Sequence, residues 1–244
     1  MSNNSPRVFA VVTAAGQSRR MGGTDKLTLP LRGRPLLAHT LSQFLGWSKL
    51  AAVAVAVSPG RETELQQTLS EHCRDLSRLH LLAGGEQRQD SIRLALELLA
   101  DRYSPRADEP VLIHDGARPF VTTELFEQLL GALTGWDGVL PATPVRDTVK
   151  RVQGEAVLGT EDRESLRMVQ TPQAFPFGSI LELHRRAARE AFYGTDDASL
   201  VERYGGRVTW IPGPAHNLKV TVPEDIALLS QLAERNSSGG PGGL

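Results

Sequence analysis

Two stretches of the chain, Val8 to Thr13 and Ala51 to Val57, are continuous apolar runs of β-forming type, the pattern of strands buried on both faces of a parallel sheet. Arg78 to Ala83 and Pro110 to His114 read as further strands. Between them, Pro35 to Gly46, Gly60 to Cys73 and Arg88 to Asp101 carry apolar residues at helical spacing, as at Ile92, Ala95, Leu96 and Leu99. Strands alternating with helices in this order predict an α/β fold on a doubly wound, mostly parallel open sheet. Ligands on such sheets bind outside the carboxyl ends of the strands. The loops beginning near Ala14, Gly84 and Asp115 are therefore where chemistry is expected.

One segment breaks the alternation. From Asp147 to Glu161, Thr148, Lys150 and Val152 alternate with Val149 and Arg151, Gln153-Gly154-Glu155 turns the chain, and Ala156 to Leu158 returns. The pattern predicts a β-hairpin with few core-type residues. Such an arm is expected to project and to rest on a partner chain.

Length and composition narrow the class. The 244 residues suit one large α/β domain, expected over 7–235, with the arm at about 145–163 and disordered ends at 1–6 and 236–244. The last stretch is nearly all Gly, Ser, Asn and Pro. With 40% apolar and 23% charged residues and a net charge of −1, the chain reads as soluble and globular, and nothing basic points to nucleic acid. The single cysteine, Cys73, makes neither an internal disulfide nor a cysteine-based metal site, which suits a reducing compartment. No apolar stretch reaches the about 18 residues of a membrane span, and Met1 to Pro6 is too short and polar for a signal peptide. A cytoplasmic protein without a membrane partner is expected.

Lysine usage adds a chemical hint. The chain has 23 arginines and only four lysines, yet two lysines stand in suggestive places. Lys26 closes the glycine-rich loop after the first strand, and Lys219 lies in Asn217-Leu218-Lys219-Val220-Thr221, a short β-like run before a capped helix. A compact ammonium with three donors suits charge developing on a transferring phosphoryl group; a solvated surface charge is the plainer reading.

The first loop runs from Ala14-Ala15-Gly16 through Arg20 to Lys26. Its small residues let the backbone approach a ligand, successive N–H groups can cradle an anion, and Arg20 and Lys26 bring positive charge, the makings of a triphosphate cradle. It is neither a dinucleotide fingerprint, since Ser18 takes the second glycine position, nor a Walker loop, and a structural turn would also use its glycines. The second loop, Gly84 to Ser91, offers close approach at Gly85 and a hydroxyl at Ser91 that either meets phosphate or caps the helix. In the third, His114 to Pro119, Asp115 and Arg118 follow a buried strand and fit either a ligand site or a local ion pair. His114 reads as a packed strand-end residue, with no second histidine at ligand spacing.

The runs Ala-Ala-Gly-x-x-x-Arg-Met with a following Lys, Gly-Gly-x-x-Arg-x-Asp-Ser, His-Asp-Gly-Ala-Arg-Pro, Pro-Val-Arg-Asp-Thr-Val-Lys, Gln-Thr-Pro-Gln-Ala-Phe, Thr-Asp-Asp-Ala-Ser and Asn-Leu-Lys-Val-Thr-x-Pro-Glu-Asp stand in that order between Val8 and Leu232. Together they resemble the 2-C-methyl-D-erythritol 4-phosphate cytidylyltransferases. Two departures, Ser18 for the usual glycine and Asp25 for the usual proline before Lys26 in a loop about one residue shorter, bear on loop shape more than on chemistry.

The resemblance implies a Rossmann-like fold of the nucleotide-diphospho-sugar transferase type and transfer of a cytidylyl group from CTP to methylerythritol phosphate, with release of pyrophosphate. It implies that Ala14, Ala15 and Gly16 line the nucleotide, that Gly85 and Glu86 sit near cytosine and ribose, and that Ser91 meets base or phosphates. It makes Arg20, Lys26 and Lys219 the cations around the α-phosphate, and sets Asp115, Arg118, Thr148, Arg163, Thr171 and Thr195 around the acceptor. It further implies a homodimer through the hairpin, with Thr148 and Arg163 flanking the arm. The chemistry asks for Mg²⁺ carried chiefly by CTP, with Asp115 as its best protein ligand. The alternatives are ribitol 5-phosphate cytidylyltransferase, a sister with the same fold and an Asp-x-Ala-Arg-Pro element, and a regulatory protein that holds CTP without turning it over.

Overall fold

The computed structural model describes residues 7–16, 26–222, 225–226 and 229–231. The expectations for 1–6, for the 236–244 tail and for Ser18, Arg20 and Asp25 lie outside the described residues. The order is β1 (Val8–Ala14), β2 (Pro30–Leu31), β3 (Arg34–Pro35), α1 (Leu36–Leu45), β4 (Leu50–Val57), α2 (Glu62–His72), β5 (Leu79–Ala83), α3 (Arg88–Tyr103) and β6 (Pro110–Asp115). There follow α4 (Thr123–Ala132), β7 (Gly138–Pro144), the pair β8 (Lys150–Gln153) and β9 (Ala156–Thr160), then β10 (Arg167–Val169), β11 (Gln173–Pro176), α5 (Phe177–Arg189), α6 (Ala198–Arg203) and β12 (Val208–Pro212).

The apolar run of β1 is continuous because both faces are covered. Val8, Ala10, Val12 and Ala14 pack with α1, α2 and α4, while Phe9 and Val11 pack with α3, α5 and α6. Successive residues of a strand point to opposite faces, so one run feeds two cores. Aromatic pairs fill the first: Phe44 stacks on Phe126 with ring centroids 4.5 Å apart. Burying each such ring contributes roughly 1.5–3 kcal/mol.

The sheet is mostly parallel at its centre. β1 pairs in parallel with β4 on one side and β6 on the other, and β5 extends the sheet beyond β4. The chain thus winds outward from β1 to β5 and then crosses back to β6, making the β1–β6 boundary the topological switch point. Ala14 and Asp115 stand at the carboxyl ends of these two strands. Beyond β6 the pairing turns antiparallel through β11, which also meets β7; β7 takes β10 antiparallel and β12 in parallel. β8 and β9 form a two-stranded sheet of their own, every residue exposed.

Two local readings change. Residues 217–220 carry no strand; the Asp225 carboxylate instead accepts from the Thr221 and Val222 amides at 2.6 and 3.0 Å. The cap of α3 is Gln87, whose side chain and that of Asp90 form a reciprocal capping box, so Ser91 is left for another task. Among the described residues no helix is long and apolar enough to cross a membrane.

Candidate active site

A cavity of about 800 Å³ opens where the carboxyl ends of β1, β4, β5 and β6 meet. Its walls are Thr13 to Gly16 after β1, Ser58 and Pro59 after β4, Gly84 to Arg88 with Ser91 after β5, and Asp115 and Ala117 after β6. Lys26, Leu27 and Lys219 complete it. Parallel strands that all end at one edge put loops distant in sequence against one space.

The floor is tight. A side chain at Gly84 would overlap Cβ of Ala15 and stand 2.8 Å from Ser91 Oγ, so only glycine lets the β1 and β5 loops close on each other. The Ser91 hydroxyl accepts from the Gly85 amide and donates to the Gln87 carbonyl, both at 3.1 Å, fixing the glycine turn from within the first turns of α3.

Asp115 organises the charge. Its Oδ2 lies 2.8 Å from Lys219 Nζ and 3.8 Å from Arg118 Nε, and its Oδ1 lies 3.3 Å from Arg88 Nε. Burial alone would raise the carboxyl pKa, but Arg88, Lys219 and Arg118 outweigh it and hold Asp115 well below the usual carboxylate range. The reciprocal effect appears at Arg88. Burial opposes its charge, yet Asp197 and Asp115 push the guanidinium pKa above its ordinary value. Lys26 Nζ donates to the Val220 carbonyl at 2.9 Å, so the two lysines enter the same cavity wall from opposite ends of the chain.

Behind Asp115 lies a buried polar layer. Thr171 Oγ1 accepts from the Asp115 amide at 3.0 Å and meets His114 Nδ1 at 3.0 Å. His114 Nε2 reaches the Arg118 carbonyl at 3.2 Å, and Arg118 Nη1 donates to the Asn217 carbonyl at 2.7 Å. Asn217 Nδ2 closes the layer on the Thr171 carbonyl at 2.8 Å. His114 is packed inside this layer at the strand end.

Of the residues singled out in the sequence, Ala14, Ala15, Gly16, Lys26, Gly85, Glu86, Ser91, Asp115 and Lys219 line the one cavity. Arg118 and Thr171 touch Asp115 from behind it. Thr148, Arg163 and Thr195 lie exposed outside its walls, Arg163 donating to the Arg146 carbonyl at 3.0 Å. Arg88 lines the cavity although sequence reasoning gave it no role. Its place within the Gly-Gly-x-x-Arg-x-Asp-Ser run was the available signal, since an arginine at the first residue of a helix after a glycine turn faces the same space as the turn. Arg118 pairs with Asp115 only at 3.8 Å, so the local ion pair is looser than that with Lys219, 104 residues away.

This chain matches the IspD family model, 2-C-methyl-D-erythritol 4-phosphate cytidylyltransferase, over residues 8–235. The chain belongs to this family. A member from Geobacillus thermodenitrificans is 41% identical over 231 residues, covering 92% of this chain and 98% of the relative. One from Bacillus mycoides is 38% identical over 219 residues, covering 89% and 94%. Among solved structures, the Thermus thermophilus 2-C-methyl-D-erythritol 4-phosphate cytidylyltransferase superposes with a TM-score of 0.74 at 35% identity, covering 93% of this chain and 99% of that one. The Anaerococcus prevotii 4-diphosphocytidyl-2C-methyl-D-erythritol synthase gives 0.81 at 27% identity, covering 94% and 97%. The cytidylyltransferase fold is thus the mostly parallel α/β sheet with flanking helices expected from the sequence.

Proposed function

We infer that this chain transfers the cytidylyl group of CTP to 2-C-methyl-D-erythritol 4-phosphate. The products are 4-diphosphocytidyl-2-C-methyl-D-erythritol and pyrophosphate, in non-mevalonate isoprenoid precursor synthesis. The observation that carries the reading to the residues is the switch-point cavity that Lys26 and Lys219 line together with Gly84 and Gly85. A phosphate monoester has a second pKa near ~6, so the acceptor oxygen is largely deprotonated at neutral pH. No general base is then required. That oxygen forms a bond to the α-phosphorus, the bond from phosphorus to the bridging oxygen breaks, and pyrophosphate leaves with the electron pair. Lys26 and Lys219, with Arg20 from the first loop, neutralise the charge that builds as two anions meet.

Magnesium belongs to this proposal. Asp115 is held ionised at the cavity wall, which fits one oxygen ligand to a hard cation that takes its remaining ligands from phosphate and water. Bound there, the ion would neutralise triphosphate charge. Ala14, Ala15, Gly16, Gly85, Glu86 and Ser91 are proposed to bind the nucleotide, and Asp115, Arg118, Thr148, Arg163, Thr171 and Thr195 the acceptor. The hairpin is proposed as the arm of a homodimer because Val152, Val157 and Leu158 are 57–63% exposed on a ribbon that has no core of its own. A single cysteine, with no partner for a disulfide within the chain, supports a cytoplasmic place.

Pyrophosphate release tests the reading. CTP with methylerythritol phosphate should release pyrophosphate, ribitol 5-phosphate should do so poorly, and CTP alone should not. Faster turnover on ribitol phosphate, or CTP binding with no turnover on either, would replace this function.

A further inference from the structure

Four side chains of alternating charge and a histidine form a line that begins in the cavity and ends in the core. Lys219 Nζ meets Asp115 Oδ2 at 2.8 Å, and Asp115 Oδ1 meets Arg88 Nε at 3.3 Å. Arg88 Nη2 stands 2.9 Å from Asp197 Oδ2, and Asp197 Oδ1 accepts from His184 Nε2 at 3.1 Å. The two cations at the cavity end are partly exposed, 39% of the Lys219 side chain and 32% of Arg88, whereas Asp115 between them is 9% exposed, Asp197 1% and His184 not at all.

The buried end ties the start of α6 to His184 on α5 and caps no helix. Asp197 directly precedes α6, but its neighbour Asp196 does the capping, accepting from the Ser199 amide at 3.0 Å. A buried ion pair is weak support for stability, because desolvation offsets the attraction. Among the described residues, Asp197 Oδ2 has Arg88 Nη2 at 2.9 Å as its one close partner, and His184 Nδ1 has no hydrogen-bond partner. A buried pair that is weak support for stability leaves room for a second reason to persist.

The exposed end supplies one. Lys219 gives Asp115 one of its three donors, and each step it takes toward a phosphate leaves a carboxylate only 9% exposed with less counter-charge, which is costly. Arg118 is 3.8 Å from Asp115 and commits Nη1 to the Asn217 carbonyl. Arg88 is nearer, on the other oxygen. We propose that Arg88 is the standing counter-ion of Asp115, that Asp197 and His184 are the residues that position it, and that the arrangement lets Lys219 leave Asp115 for a nucleotide phosphate. This rests on the transferase reading above for the identity of the ligand as CTP.

The test is a set of variant cycles read on CTP affinity by calorimetry, with turnover measured beside it. Arg88→Met and Asp197→Asn should each weaken CTP binding roughly 10-fold, and the double variant no more than the worse single one. In an Asp115→Asn background, where position 115 no longer needs a counter-charge, Arg88→Met should cost less than about twofold in CTP affinity. A loss from Arg88→Met that persists undiminished in Asp115→Asn would make Arg88 a direct ligand contact and overturn the counter-ion. Additive losses for Arg88 and Asp197 would overturn the positioning role. If Asp197→Asn does not fold, His184→Gln breaks the same link one residue further in, and Arg88→Gln serves in place of Arg88→Met. A wild-type chain that binds CTP yet releases no pyrophosphate sinks the transferase reading and leaves the affinities to decide this inference; a chain that binds no CTP sinks both.

Discussion

Thr171 Oγ1 lies 3.0 Å from His114 Nδ1, and its surroundings fix the direction of that hydrogen bond. The hydroxyl oxygen accepts from the Asp115 amide, and against a neutral ring whose proton sits on Nε2 it gives its own proton to Nδ1. The other ring nitrogen, Nε2, faces the Arg118 carbonyl and must carry the ring proton. Burial pushes the His114 pKa down to about 4, which keeps the ring neutral.

The stability of the fold should accordingly depend on pH. Between about 4 and the unfolded value of about 6.5 the unfolded chain binds the proton and the folded chain does not, so stability is complete above that window and falls as pH drops through it. The difference corresponds to about 3 kcal/mol for this one residue. His39 and His80 are also shifted down by burial and act with the same sign. Urea midpoints at pH 7 and pH 4.5, compared between wild type and His114→Gln, isolate its share: the variant should be less stable at pH 7 and flatter with pH. Equal slopes would place the sensitivity elsewhere.

Lys26→Ala and Lys219→Ala should each lower kcat roughly 100-fold or more, with a smaller change in CTP affinity, if they act chiefly as charge builds in the transition state. Arginine at either position should not restore the rate, because a planar fork does not take the place of a compact ammonium. A variant that keeps kcat and raises only KM moves that lysine to ground-state binding.

Nucleotide choice should follow the floor of the cavity. Ala15, Gly84 and Ser91 are packed against each other, and a base resting on that floor should fit better as a pyrimidine than as a purine, so CTP should be used well ahead of ATP and GTP. Discrimination against UTP should reflect an unpaired buried polar group, ~1–3 kcal/mol. Gly84→Ala forces the two loops apart and should reduce turnover roughly 10- to 100-fold. Comparable rates with GTP and CTP would contradict this account.

Mixing variants tests the arm. If Arg163 serves a neighbouring subunit, Arg163→Ala chains mixed with Lys26→Ala chains should regain activity, because one site of each heterodimer then holds both native residues. Self-contained sites give no recovery. Sedimentation as a fully active monomer removes the premise.

Much of this was legible in the sequence where a single physical rule governed a segment. β1, β4 and β6 announce themselves because strands covered on both faces leave no room for polar residues. The loops after Ala14, Gly84 and Asp115 follow from the topology once the strands are placed. β7 and β11 were hidden for the opposite reason. β7 contains Pro141 and Pro144, residues that argue against a central strand, and β11 is four residues long with a proline at its end. The partnership of Arg88 with Asp197 was equally hidden, since no local pattern joins two residues 109 positions apart. Asp196 and Asp197 look alike in sequence; one caps a helix and the other is buried, a difference only tertiary packing creates.

The split of β1 between two cores has a consequence for how this molecule can change over time. Phe9 and Val11 can be exchanged together with their neighbours on α3 and α5 without disturbing Ala10, on the opposite face, or its neighbours on α1. The reactive groups, meanwhile, begin where the strands stop. Drift in either half of the interior is thereby insulated from the other and from the rim where ligands meet, so distant descendants can share little of their interior sequence and still present the same rim.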